Sequence, residues 1–72
     1  MPLVQVQVIK DVFNEGHKRE IIEKITDVMV SIEGKALRSV TWVNIVEIDS
    51  GSWGIGGEAL TTEAVRTMQG AG

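Results

Sequence analysis

The residues with the most direct route to chemistry are the first two, Met1-Pro2. A proline in second position is small enough for the initiator methionine to be trimmed. Trimming makes Pro2 a free secondary amine at the head of an extended run, Leu3-Val4-Gln5-Val6-Gln7-Val8-Ile9. The pyrrolidine ring cannot rotate about φ, so the strand that Pro2 begins sets the direction of such a base. With Met1 retained, the same nitrogen is a tertiary amide with no proton to give and no basic lone pair. A second-position proline is also commonplace, and on that residue alone both readings stay open. The single histidine, His17, sits beside Lys18 and Arg19 with no nucleophile or second ligand near it in sequence, and it reads as a surface residue. There is no cysteine, and no His/Asp/Glu cluster offers a structural metal site. No cofactor is implied.

The elements around Pro2 follow from periodicity. Val4, Val6 and Val8 alternate with Gln5 and Gln7, the period of two of a half-buried strand. The uncharged glutamine face suits a subunit contact better than bulk water. Lys10-Asp11-Val12-Phe13 is the turn out of that strand. Its two large apolar residues read first as a lid over the domain's own core, with a pocket wall or a subunit contact as the other readings. Asn14 is a good N-cap and Glu15 suits the first helical turn. Ile21, Ile22, Ile25, Val28, Met29 and Ile32 then fall along one face of a helix that stops at Gly34, where a left-handed conformation is expected. A second strand is predicted over Ser39–Ile48, which makes a β-α-β unit with parallel strands and a right-handed crossover. Both faces of that strand are largely apolar, and one helix covers only one of them. The face bearing Trp42 has to be buried by something else, for which another copy of the chain is the economical answer.

Gly51-Ser52-Trp53-Gly54-Ile55-Gly56-Gly57-Glu58 holds four glycines in its first seven residues. A dinucleotide fingerprint needs its glycines after a first strand and before a long helix, and a phosphate loop needs Lys then Ser or Thr where Glu58 stands. The remaining reading is a tight hairpin that projects Trp53 and Ile55 at fixed places. Thr61–Met68 fits a short capped helical turn or irregular packing on a neighbour, and Gln69-Gly70-Ala71-Gly72 has little to hold it.

At 72 residues the chain is a single domain, 1–72, of α+β class: the β-α-β unit plus a C-terminal β-hairpin. Domains this small bury only roughly 60–65% of the surface their unfolded chains expose. With 43% hydrophobic residues and neither disulfide nor metal to staple it, the chain is expected to be stabilised by oligomerisation. The formal charge of −3 is dispersed, without the basic stripe that nucleic acid requires. No apolar run approaches the ~20 residues of a membrane span, and no segment has the pattern of a secretory signal. The expectation is a cytoplasmic protein with no nucleic-acid or membrane partner.

Pro2 after the initiator methionine, a β-α-β core of this length and the Gly51–Glu58 segment together resemble the 4-oxalocrotonate tautomerase family, through most of the chain from Pro2 to about Leu60. The resemblance implies a tautomerase fold of the MIF type, assembled as a homohexamer, a trimer of dimers. It implies an isomerase whose N-terminal proline amine moves a proton in an enol or dienol 2-oxo acid to give the keto isomer. Pro2 then maps to the base and Trp53 to the aromatic wall that keeps the amine desolvated. Desolvation lowers the pKa of an amine, and general base catalysis is most efficient when the pKa lies near the working pH. The family's best-known members also carry two carboxylate-binding arginines. Their places fall at Val12-Phe13 and at about Trp42, and neither place is basic here. Lys10 and Arg38 lie nearby as candidate cations, and Phe13 and Trp42 as pocket lining. A heterohexamer, with the cations supplied by a different chain, is the other arrangement the resemblance allows. Loss of both arginine forks favours a monocarboxylate or a more apolar keto-enol substrate.

Two further functions compete. A hydratase or dehalogenase of unsaturated acids uses the same proline as an acid, but needs carboxylate-binding arginines and a water-activating acid that the sequence does not supply. A non-catalytic oligomeric binding protein is the reading that retention of Met1 favours.

Overall fold

The computed structural model describes residues 2–71; Met1, on which the trimming expectation falls, lies outside the described residues. The elements run β1 (Leu3–Ile9), α1 (Glu15–Glu33), a 3-10 helix (Lys35–Val40), β2 (Trp42–Ile48), β3 (Trp53–Ile55), β4 (Glu58–Leu60) and α2 (Thr62–Ala71). β1 and β2 pair in parallel, from Leu3 opposite Trp42 to Ile9 opposite Ile48. β3 and β4 form a separate antiparallel hairpin. The architecture is the expected β-α-β unit with a C-terminal hairpin.

In β1, Val4, Val6 and Val8 are half-buried while Leu3, Gln5 and Gln7 are exposed, as the alternation requires. α1 starts where Asn14 caps it. Asn14 Oδ1 accepts from the His17 amide at 2.8 Å, and His17 Nδ1 accepts from the Asn14 amide at 3.3 Å. This reciprocal capping box gives the lone histidine a structural task. Asn14→Ala should cost about 1 kcal/mol of stability, measurable by denaturant unfolding.

The apolar face of α1 is wider than the sheet beneath it. Ile21, Ile25 and Met29 are half-buried and Val30 is buried, whereas Ile22, Val28 and Ile32 face outward, Ile32 at 78% exposure. Two strands set about 4.8 Å apart cannot cover a stripe spread over a cylinder about 10–12 Å across.

Two boundaries differ from the sequence expectation. Gly34 has a positive φ of 106° but an extended ψ of 149°, so it ends α1 outside the left-handed helical region. Its amide still bonds the Val30 carbonyl at 2.9 Å, and its carbonyl then accepts from Leu37. Ser39 and Val40, expected in the second strand, belong to the 3-10 helix. The Thr41 amide bonds the Arg38 carbonyl and the Thr41 hydroxyl reaches Leu37 O. Helical pairing therefore persists until Trp42, whose amide can donate to the Pro2 carbonyl at 3.0 Å.

The hairpin turns on Gly56 (φ 58°) and Gly57 (φ 86°). Positive φ at both central residues is the signature of a primed two-residue turn, whose twist matches the strands it joins. Trp53 and Ile55 are two residues apart on β3 and so share one face. The C-terminal segment resolves to helix, including Gln69 and Gly70. Thr61 Oγ1 accepts from the Ala64 amide at 3.1 Å and starts α2.

Only Ile9 and Val30 are buried among the described hydrophobic residues. The accessible surface is 5219 Å², against about 4,400 Å² for a compact monomer of this mass. The radius of gyration is 14.7 Å, against about 11 Å for a compact chain of this length. One chain alone leaves Leu3, Trp42 and Ile55 each more than half exposed.

Candidate functional site

The parallel sheet sorts the candidate residues to its two ends. Pro2 sits at the start of β1, half-buried, with its carbonyl tied to the Trp42 amide. Trp42 is 59% exposed beside it. Arg38 lies at this end in the 3-10 helix, but its Nη2 is held 2.8 Å from Asp27 Oδ1 on α1. Lys10, Phe13 and Trp53 lie at the far end, beyond the last residues of β1 and β2. A seven-residue strand separates the two groups by about 20 Å. Within one chain, therefore, Pro2 does not meet Trp53.

At the far end Phe13 and Trp53 do come together. They line a cleft of about 450 Å³ whose other walls include Val12, Ile55, Leu60 and Met68. Phe13 is half-buried and stands edge-on to His17, with ring centroids 6.0 Å apart and planes at 83°. Val12 and Phe13 thus line this cleft together with Ile9, one of the two buried hydrophobic residues among those described. Trp53 also borders a smaller opening with Gln7, Ile48 and Ser52.

Most of the nearby charge is spent on structure. Lys18 Nζ lies 2.9 Å from Glu47 Oε1 and 3.3 Å from Glu15 Oε1, tying the start of α1 to the end of β2. The hydrogen bond from Lys18 holds the Glu47 carboxyl below the usual 4.5, and the same bond raises the Lys18 ammonium above 10.5. Lys24 is paired with Glu20 one turn away. Among the described residues no group of three or more His, Cys, Asp or Glu is placed to hold a metal. Nor is any helix among them long and apolar enough to cross a membrane.

One cation at this end was not singled out from the sequence. Arg66 on α2 donates from Nε at 3.1 Å and from Nη2 at 2.5 Å to the Asp11 carbonyl. One turn earlier, Thr62 Oγ1 donates to the Lys10 carbonyl at 2.6 Å. Thr62 and Arg66 stand four residues apart on one face of α2, and together they grip two successive carbonyls of the β1–α1 loop. That pair spacing was legible in the sequence once Thr61–Met68 was taken as a helix. Where the helix docks was not. Arg66 also lines a cleft of about 310 Å³ with Asp11, Val12, Phe13, Asn14 and His17.

The family profile for tautomerase enzymes matches residues 2–63, beginning at Pro2 itself. The chain belongs to the tautomerase family. Among relatives of this tautomerase-family chain, a probable tautomerase of Dickeya dadantii is 36% identical over 61 residues, covering 85% of this chain and 90% of that protein. A probable tautomerase of Helicobacter pylori is 33% identical over 64 residues, covering 83% and 90%. A solved structure of the 4-oxalocrotonate tautomerase isozymes from Methylibium petroleiphilum is similar with a TM-score of 0.72 at 31% identity, covering 89% of this chain and 97% of that one. The DmpI structure from Helicobacter pylori gives the same TM-score at 28% identity, covering 82% and 95%. Membership in this family supports an isomerase activity for the tautomerase-family chain.

Proposed function

We propose that this chain is a proline-based tautomerase acting on an enol 2-oxo acid. Pro2, freed by removal of Met1, takes the proton of the enol hydroxyl. The C–O bond becomes a carbonyl as the C=C electron pair takes a proton at carbon from the prolinium just formed. The amine is returned, and atoms and charge balance with no co-reactant.

The observation that carries this reading is the position of Pro2 at the head of a strand in a family match that starts on that residue. Its carbonyl is spent on Trp42, which fixes the ring while the nitrogen lies at the open end of the strand. The cleft formed by Phe13 and Trp53 is the apolar wall such a base needs, and in one chain it lies at the other end of the sheet. The complete site therefore forms between copies. A homohexamer arranged as a trimer of dimers brings the Pro2 end of one chain to the Trp53 end of another, and covers Trp42, Ile55 and Ile32. The relatives solved as 4-oxalocrotonate tautomerase isozymes support an acid enol as the substrate class. The apolar cleft favours a monocarboxylate, and the cytoplasm is the proposed location.

The test is conversion of phenylenolpyruvate to its keto form, followed as loss of ultraviolet absorbance, with a chain whose intact mass shows Met1 absent. Turnover above the solvent rate supports the reading. A trimmed, oligomeric chain that leaves this and other enol acids unchanged refutes it.

A further inference from the structure

We propose that Arg66 binds the carboxylate of the acid, while Phe13 and the apolar cleft beyond it receive the hydrocarbon body. This rests on the reading of the chain as an enzyme for 2-oxo acids and names the residue that would hold the substrate's charge.

The first argument is how Arg66 is held. Its Nε and Nη2 both donate to the Asp11 carbonyl, a neutral acceptor. Among the described residues no carboxylate lies within ion-pair distance of it, whereas Arg38, Lys18 and Lys24 are each paired with an acid. No acid among the described residues therefore occupies the guanidinium as an ion-pair partner. A guanidinium has five N–H groups, and two are used on Asp11, which leaves three for a ligand. The side chain is fixed before any ligand arrives, so little of the binding free energy is lost in ordering it.

The second argument is what surrounds it. The 310 Å³ cleft of Arg66 and the 450 Å³ apolar cleft share Val12 and Phe13 as a common wall. Beyond that wall stand Trp53, Leu60 and Met68. A small molecule with a charged head and an apolar body matches this pair: head on the guanidinium, body along Phe13 toward Trp53. The planar fork of arginine suits a carboxylate in particular, with two parallel N–H···O bonds. Asp11 also lines the Arg66 cleft, and its own carboxylate opposes an anion there. That opposition supplies a control. Asn keeps the carbonyl that anchors Arg66 and tolerates the positive φ of 69° found at Asp11.

The experiment measures equilibrium binding of 3-phenylpropanoate and of its neutral amide, two molecules that do not tautomerise, to the full oligomeric chain by calorimetry. The wild-type chain should prefer the acid. Arg66→Gln should weaken the acid by about tenfold, the usual scale for a hydrogen-bonded charge, and leave the amide unchanged. Asp11→Asn should hold or raise the affinity for the acid. Equal losses for acid and amide in Arg66→Gln would mean that Arg66 only braces the loop, and would overturn the proposal. So would no loss at all, no preference for the acid in the wild type, weaker acid binding in Asp11→Asn, or a loss that follows Lys10→Gln instead. Pro2→Ala separates the two readings: if it binds the acid normally and also turns over substrate at the full rate, the base assignment fails while the Arg66 site stands.

Discussion

Pro2→Ala should lower turnover of an enol acid by about a hundredfold, the lower end of what a positioned general base contributes. Alanine is also small enough for Met1 to be trimmed, so the variant keeps a free amine at the same chain position. What it loses is the ring. A primary amine on a rotatable bond has no fixed direction toward the substrate, and orientation is the part of the catalysis that the strand provides. A chain that retains Met1 should fall much further, because an amide nitrogen is not a base at any working pH. Steady-state rates on three preparations of verified intact mass make the comparison: trimmed wild type, trimmed Pro2→Ala and Met1-retaining wild type. Equal rates in all three would remove Pro2 from the mechanism. A loss in Pro2→Ala accompanied by a broken oligomer would point to assembly instead, so native mass spectrometry belongs beside the rates.

Ile9→Ala should cost about 2–4 kcal/mol of stability. Ile9 is 5% exposed at the end of β1, opposite Ile48, and among the described residues only it and Val30 are buried hydrophobics. A chain of this length has only about 4–10 kcal/mol in total at the usual stability per residue, so the loss takes a large share. Ile32→Ala provides the contrast. At 78% exposure in one chain, Ile32 should contribute almost nothing to the monomer. If copies cover it in solution, Ile32→Ala should cost more than 1 kcal/mol, and the wild-type unfolding midpoint should rise with protein concentration. Denaturant unfolding at two concentrations decides this. A midpoint independent of concentration, with Ile32→Ala neutral, would mean that the chain is stable alone.

Much of the fold was legible in the residues because it depends on local rules. The Val4-Val6-Val8 alternation set β1, Asn14 set the start of α1, and Gly56-Gly57 set the hairpin through two positive φ angles. The boundary of β2 was not legible. Ser39 and Val40 are good strand residues, and only the bond from the Trp42 amide to the Pro2 carbonyl decides where strand pairing begins. His17 read correctly as a surface residue, yet its capping bond to Asn14 depends on a rotamer that sequence does not specify.

The sequence by itself determined the order of the two parallel strands, the long helix between them and the hairpin, the excess of apolar surface, and a proline whose nitrogen becomes a base if Met1 is removed. Those follow from periodicity, composition and the covalent chemistry of one ring. Only the tertiary structure decided that Pro2, Arg38 and Trp42 stand at one end of the sheet while Phe13 and Trp53 stand at the other. A parallel pairing carries every strand start to one edge and every strand end to the opposite edge. The tertiary structure alone also turned α2 back onto the β1–α1 loop, where Arg66 meets the Asp11 carbonyl across 55 positions of sequence. No local propensity encodes a contact of that span.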